Sequence, residues 1–212
     1  MLIKIWYFVT ILVLSKSCNP SLGPNTNIPD KILNAMEQCR NAIARNPKHD
    51  EKPNGPSFCL GLLHMRIGQH ERALTNFIQA EEKCPEGFAS FHAGECYEKL
   101  LRFADAESSY KRCYHKCDDI EGKKTVIYRL SPLLLRLQKS KDALQILHSH
   151  LKIDPENIKV KELIGASYHA DKNFEAAFKT YESLIPLTNY SLQSYLNAAS
   201  AAGDFDHLLI LI

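Results

Sequence analysis

A chain of 212 residues with 45% hydrophobic and 24% charged residues has the make-up of a folded protein, enough for one domain or one short repeat array, and excludes disorder along its whole length. Lys and Arg number 26 against 24 Asp and Glu; Lys4 and Lys16 fall in an apolar leader that holds no acidic residue, which leaves the remainder balanced. A near-neutral chain with no Lys- or Arg-rich stripe lacks the cationic field that displaces counterions, and this sets nucleic acid aside as a partner.

The chain opens on Lys4, then an apolar run from Ile5 to Leu14 broken only by Thr10, then Ser15-Lys16-Ser17 ahead of Cys18. That is the layout of a secretory signal peptide over 1–17, with an uncleaved anchor or a lipoprotein leader ending at Cys18 as the rival readings. The run is about half the roughly 20 apolar residues that span a bilayer. The expectation is a secreted or endoplasmic-reticulum-lumenal protein with no membrane attachment after cleavage. Segment 18–29, with Pro20, Gly23, Pro24, Asn25 and Asn27, reads as a flexible leader. Seven cysteines are an odd count, so in an oxidising compartment at least one stays free or pairs between chains.

From there the chain repeats itself. A small residue followed four places later by a bulky one recurs as Ala73/Phe77, Ala106/Tyr110, Ala143/Leu147 and Ala177/Tyr181, at alanine spacings of 33, 37 and 34 residues. Twelve residues before the alanines stand Gly61, Gly94, Ser131 and Gly165. Three residues after those come His64, Tyr97, Leu134 and Tyr168, and twelve after the alanines come Pro85, Asp118, Pro155 and Asn189. Two helices of roughly twelve residues folding back on each other close to about 8–10 Å only where a side chain is small, and the glycines and alanines supply those contacts. Gly68-Gln69 and Asp171-Lys172-Asn173 read as turns inside hairpins; Pro85 and Pro155-Glu156-Asn157 stop second helices.

The spacing of Gly-x-x-Tyr, Ala-x-x-x-Phe and Pro resembles the tetratricopeptide family, best in repeats one, two and four. The resemblance implies an all-α fold, an α-solenoid of stacked antiparallel helical hairpins wound as a right-handed superhelix over 30–212. The array would hold a half-repeat at 30–47, with Asp30 to Arg45 as a lone second helix, repeats at 54–86, 87–120, 124–157 and 158–191, and an incomplete repeat at 192–212. Two departures fall in the third unit. Pro132 sits mid-helix, where it costs about 3 kcal/mol or more, so that helix is expected to kink there or to begin only at Ser131. His150 takes an alanine position, which predicts looser packing. Asp118-Asp119, Glu121 and Lys123-Lys124 read as a charged loop between repeats two and three.

The resemblance also implies where a partner binds. Arrays of this family line a concave surface with first-helix positions that here fall on Phe58, Leu62, Met65 and Arg66; Phe88, Phe91, Glu95, Glu98 and Lys99; Tyr128, Leu135 and Arg136; and Lys159, Glu162, Ala166 and His169. The expected peptide-binding residues are Phe58, Leu62, Arg66, Phe91, Glu95, Lys99, Tyr128, Arg136 and His169. Such a lining suits a peptide with apolar anchors and a nearby acidic group; the competing reading makes Phe58, Phe91 and Tyr128 hairpin core and the cations a solvated edge. The Lys and Asn by which some members grip a C-terminal carboxylate are replaced by Phe58, Leu62, Phe91, Glu95, Tyr128 and Pro132, so that clamp is absent.

The sequence points to no catalytic residue, metal or cofactor. It carries no phosphate loop, nucleophile elbow or His with a matched carboxylate pair. Cys113 and Cys117 with His115 lack the paired knuckles of a zinc site. Their Cys-x-x-x-Cys also resembles the collagen prolyl-hydroxylases called leprecans, over five residues only. Cys59 with Cys84 is the candidate disulfide, the start of one helix lying beside the end of its antiparallel neighbour, while buried unpaired thiols suit most of the rest. Asn189-Tyr-Ser191 is a glycosylation acceptor pattern. The expectation is thus a non-catalytic scaffold or adaptor for a protein or peptide partner. The alternative is the front portion of a larger secretory enzyme, a protein-modifying hydroxylase or transferase, because Leu208 to Ile212 would leave an apolar strip exposed to continuation or self-association.

Overall fold

The computed structural model describes residues 28–85 and 88–188, together with Asn197. The signal-like leader, most of segment 18–29, Asn189 and nearly all of the incomplete repeat at 192–212 lie outside the described residues. Among those described, all regular structure is helical. The chain divides into two compact units at Lys116–Cys117.

The first unit runs α1 (Asp30–Arg45), a 3-10 turn (Pro47–Glu51), α2 (Pro56–Arg66), α3 (His70–Lys83), α4 (Ala89–Lys99) and α5 (Phe103–Lys116). The second runs α6 (Ile120–Arg136), α7 (Ser140–Leu151), α8 (Ile158–Ala170), α9 (Phe174–Leu184) and a 3-10 turn (Pro186–Thr188). In each, consecutive helices pair as antiparallel hairpins, α2/α3 and α4/α5, then α6/α7 and α8/α9. The second helix of one hairpin packs on the first helix of the next, α3 on α4 and α7 on α8, and α1 packs on α2 as a second helix would.

The small residues do what the spacing implied. A Cβ on Gly61 would stand 2.7 Å from Phe77, on Gly94 2.6 Å from Tyr110 and on Gly165 2.7 Å from Tyr181. Each glycine is therefore the seat of the aromatic ring of its own partner helix, and that ring is what closes the hairpin. Ala73, Ala106, Ala143 and Ala177 are fully buried.

The four hairpin turns share one backbone form. The second residue after each first helix takes the left-handed region, at Gly68, Leu101, Gln138 and Lys172. The next amide bonds back to the carbonyl five residues earlier: Gln69 to His64 (2.9 Å), Arg102 to Tyr97 (2.8 Å), Lys139 to Leu134 (2.8 Å) and Asn173 to Tyr168 (2.9 Å). This closure satisfies carbonyls that a helix C-terminus leaves open. Only the first turn uses glycine, and Leu101 holds the strained conformation while 69% exposed.

Several expectations are corrected. Helix α6 does not start at Ser131; it starts at Ile120 and continues through Pro132 to Arg136. Asp119 caps it by accepting the Gly122 N–H at 2.6 Å. The exposed Pro132 costs one backbone bond, but Val126, Ile127, Leu130, Leu133 and Leu134 are buried to 2% exposure or less. At about 1.5–3 kcal/mol for each such side chain, that face outweighs the proline. Glu121, Lys123 and Lys124 consequently belong to the first turns of α6, not to a loop. His150 is itself fully buried, yet α6 and α7 meet over fewer residues than the helices of the other three hairpins, in line with the looser packing expected of this unit. The candidate partners Cys59 and Cys84 are separate buried thiols. Cys59 shares its apolar cluster with Cys39 of α1, and its thiol bonds the Asn54 carbonyl at 3.5 Å.

The connection before α2 carries a feature that the repeat pattern did not announce. Gly55 has no side chain to cap α2 and Pro56 no N–H to be capped, and Asp50, 2% exposed, reaches in from the 3-10 turn instead. It accepts from the Ser57 N–H at 2.7 Å, the Ser57 hydroxyl at 2.5 Å and Lys83 Nζ, at the end of α3, at 2.8 Å. One carboxylate thereby ties the turn to both helices of the first hairpin.

Candidate peptide-binding faces

In the first unit, α2 and α4 are the two first helices and they touch. Two of the expected contact residues are core. Phe58 and Phe91 are each 8% exposed: Phe58 packs edge-on to Phe77 at 5.6 Å and to His92 at 5.4 Å, and Phe91 meets His92 at 5.4 Å and Tyr110 at 5.6 Å. These rings hold α2, α3, α4 and α5 together. The accessible residues of α2 are the half-buried Leu62, Met65 and Arg66; those of α4 include the half-buried Glu95 and Glu98 and the exposed Lys99. Leu62 and Met65 rest on the apolar cluster formed with Ala89, Ala93 and Cys96, so their inner sides are fixed while their outer sides meet solvent.

The charges beside them are held in place. Glu98 accepts the Tyr110 hydroxyl at 2.6 Å and Glu95 lies 2.8 Å from His92 Nδ1. Arg102 stacks over Tyr97 at 4.8 Å. The face thus presents Leu62 and Met65 on a fixed apolar base, with the cations Arg66 and Lys99 and the carboxylates Glu95 and Glu98 on the same two helices.

In the second unit, the first helices are α6 and α8. Tyr128 is half-buried and donates its hydroxyl to Asn157 Oδ1 at 3.0 Å. Asn157 also caps α8 through the Val160 N–H at 3.0 Å and donates to Asp154 at 2.8 Å. Arg136 is exposed, and half-buried His169 stands edge-on to Phe174 at 5.3 Å. Ser140 bonds Asp171 at 2.8 Å, joining the start of α7 to the end of α8.

The titratable groups argue about chemistry. Burial pushes the Cys39 thiol up to about 11 and those of Cys59 and Cys96 to about 12; thiols that stay protonated at neutral pH are poor nucleophiles. Burial lowers the pKa of His64, whose Nδ1 sits 2.8 Å from Gln69 Oε1. Among the described residues no group of three or more His, Cys, Asp or Glu is placed to hold a metal, and no helix is long and apolar enough to cross a membrane.

Sequence reasoning missed one cluster altogether. Glu81 of α3 receives Arg112 Nε at 3.2 Å, Arg112 Nη2 at 3.3 Å and Lys116 Nζ at 3.0 Å, all from α5. The signal was available, since Arg112 and Lys116 are one turn apart on a second helix and Glu81 lies one repeat earlier on the equivalent helix.

Glycine-seated aromatics, six-to-one turns and stacked hairpins define a helical-repeat protein of tetratricopeptide type. Solved structures agree on that class. The chain is similar to YrrB, a "TPR protein with an unusual peptide-binding site", with 16% identity over 83% of this chain and 89% of that one and a TM-score of 0.64. A tetratricopeptide repeat protein from Parabacteroides merdae superposes with a TM-score of 0.66 at 16% identity, over 86% and 71% of the two chains. MamA does so with 0.55 at 17% identity, over 73% and 91%. At these identities the likeness is one of fold. No family model matches the chain, and no curated protein matches it significantly.

Proposed function

We propose that this chain is a non-catalytic interaction scaffold that takes up a peptide segment of a protein partner on its first-helix faces. The observation that carries the reading is the strip on α2 and α4: Leu62 and Met65 half-exposed on a fixed apolar base, with Arg66 and Lys99 beside them. Rigid apolar contacts with positioned charges give binding energy at low entropic cost. A peptide with an apolar anchor and an acidic side chain fits that arrangement, Tyr128, Arg136 and His169 offering a second face of similar kind on the other unit. YrrB, a peptide-binding protein of the same fold, supports the class of activity. The leader-like first 17 residues support a secretory-pathway protein, secreted or lumenal.

Because Phe58 and Phe91 hold the core, the test belongs on their accessible neighbours. Peptides selected from a displayed library on the purified chain are measured by calorimetry against Leu62→Asp, Lys99→Glu and Arg136→Glu, with Lys179→Ala on the exposed side of α9 as control. Loss of tenfold or more in affinity with the first two, or with the third, and none with the control is expected. Equal binding by all four variants refutes the proposal.

A further inference from the structure

His150 occupies the position seven residues after the repeat alanine, taken in the other hairpins by Ala80, Cys113 and Leu184. All four residues are buried, and His150 is fully so; among the described residues neither of its ring nitrogens finds a hydrogen-bonding partner. A buried imidazole with both nitrogens unsatisfied is tolerated only while neutral, because an unpaired charge there would lose its hydration without replacement. Its backbone carbonyl receives the N–H groups of Ile153 (2.9 Å) and Asp154 (3.0 Å). The turn these begin carries Asn157, which caps α8 and holds the Tyr128 hydroxyl.

We infer that the α6/α7 hairpin contains a proton-triggered latch, in which protonation of His150 expels the ring from its seat and opens the turn at 152–157. The groups around the ring do not rescue the charge. Burial lowers the ring's proton affinity most; Asp154 favours the cation, Lys124 and Lys123 of α6 oppose it, and Glu121 favours it weakly. Helix α8, packed on α7, begins with Lys159, Lys161 and Glu162, of which Lys159 and Glu162 pair at 3.1 Å. On and just beyond α7, Lys141, Asp142, His148, Lys152 and Glu156 are exposed.

The sign follows from linkage. The closed hairpin binds no proton at His150 and the open one does, with an ordinary imidazole pKa of about 6.5, so opening is favoured as pH falls through that value. The open population then rises about tenfold between pH 7.5 and 5.5. Opening also frees Tyr128 from Asn157, which would weaken the binding face on α6; this consequence alone rests on the proposed function.

The test is hydrogen exchange with mass spectrometry on the full chain at pH 7.5 and 5.5, each corrected for intrinsic exchange, comparing the wild type with His150→Ala and His150→Leu, residues that the same position accepts in other hairpins. A rise of about tenfold in opening of peptides within 120–157, abolished in whichever variant folds, is the expected result. An equal rise in the variants, or none in the wild type, overturns the latch. Imidazole carbon NMR of the wild type is the second readout: a ring that titrates near pH 6.5 while α7 stays protected also overturns it. Selected peptides that bind equally at both pH values despite a working latch would sink only the role of Tyr128.

Discussion

Gly94→Ala separates steric seating from helix propensity. In an unconstrained helix the change stabilises by about 1 kcal/mol. Here the new Cβ would lie 2.6 Å from Tyr110 Cε1, 2.7 Å from Cδ1 and 2.9 Å from Cζ, where contact between carbons is normal at about 3.5–4.0 Å. The ring must retreat by about 1 Å. It has little freedom to do so, being fully buried and anchored through its hydroxyl to Glu98 at 2.6 Å. Overpacking of this kind costs about 1–3 kcal/mol, and more when a ring is pinned. With the pinned ring at the upper end of that range, about 2–3 kcal/mol, and the propensity gain of about 1 kcal/mol subtracted, the net expectation is a loss of about 1–2 kcal/mol, a fall of about 0.5–1 M in the urea midpoint followed by circular dichroism at 222 nm. Adding Tyr110→Leu should recover part of that loss, since the third hairpin itself pairs Ser131 with Leu147, both fully buried. A Gly94→Ala protein that unfolds at the same urea concentration or a higher one would show that the ring is not the obstacle and that these glycines are not seats.

Asp50→Ala removes an α2 cap and leaves Lys83 without its partner; the expected cost is about 2–4 kcal/mol, read as a lowered midpoint in thermal denaturation, with Asp50→Asn recovering part of it if capping dominates over charge. At Glu81 burial opposes ionisation, but the bonds from Arg112 and Lys116 outweigh it and hold the carboxyl below its ordinary range. A depressed carboxylate stabilises the fold above its unfolded pKa of about 4.3 and ceases to as pH falls through the lower folded value. Glu81→Gln should therefore flatten the acid limb of the stability profile below about pH 4.3; an unchanged limb would show the cluster to be energetically idle.

The hairpins were legible because their determinants are local and periodic. Gly61, Gly94 and Gly165 announce close approach, and the partner ring falls at a fixed distance along the chain. What the sequence hid depends on distance in space. Asp50 is an unremarkable acidic residue until the chain bends to bring it under Ser57, 7 residues on, and Lys83, 33 residues on. The candidate face was legible only in part for a related reason. A ring in the first turn of a first helix can turn inward or outward, and His92 decides the matter in the first unit by gathering Phe58, Phe77 and Phe91 around itself, each at 5.4 Å. Leu62, one turn beyond Phe58, and Lys99, the last residue of α4, keep part of their surface in solvent. The weight given to Pro132 was misplaced because a propensity argument counts the lost bond and not the apolar face that the rest of α6 buries.

The departures from the repeat pattern collect in one hairpin: Ser131 for glycine, Pro132 within the helix and His150 for alanine. The apolar face of α6, the Asp119 cap and the Tyr128–Asn157–Asp154 chain offset the first two, while the ring nitrogens of His150 stay unsatisfied. Stability within a repeat array is distributed by hairpin and by interface, so this hairpin is expected to open first. Tyr128 and Arg136 lie on its first helix. A ligand held by them only in the closed state must stabilise the hairpin by mass action, and by the same linkage whatever opens the hairpin must weaken the ligand. On the proposed function, binding at α6 and the integrity of the third hairpin are thus one equilibrium, which is why substitutions at His150, away from the face itself, should be felt there.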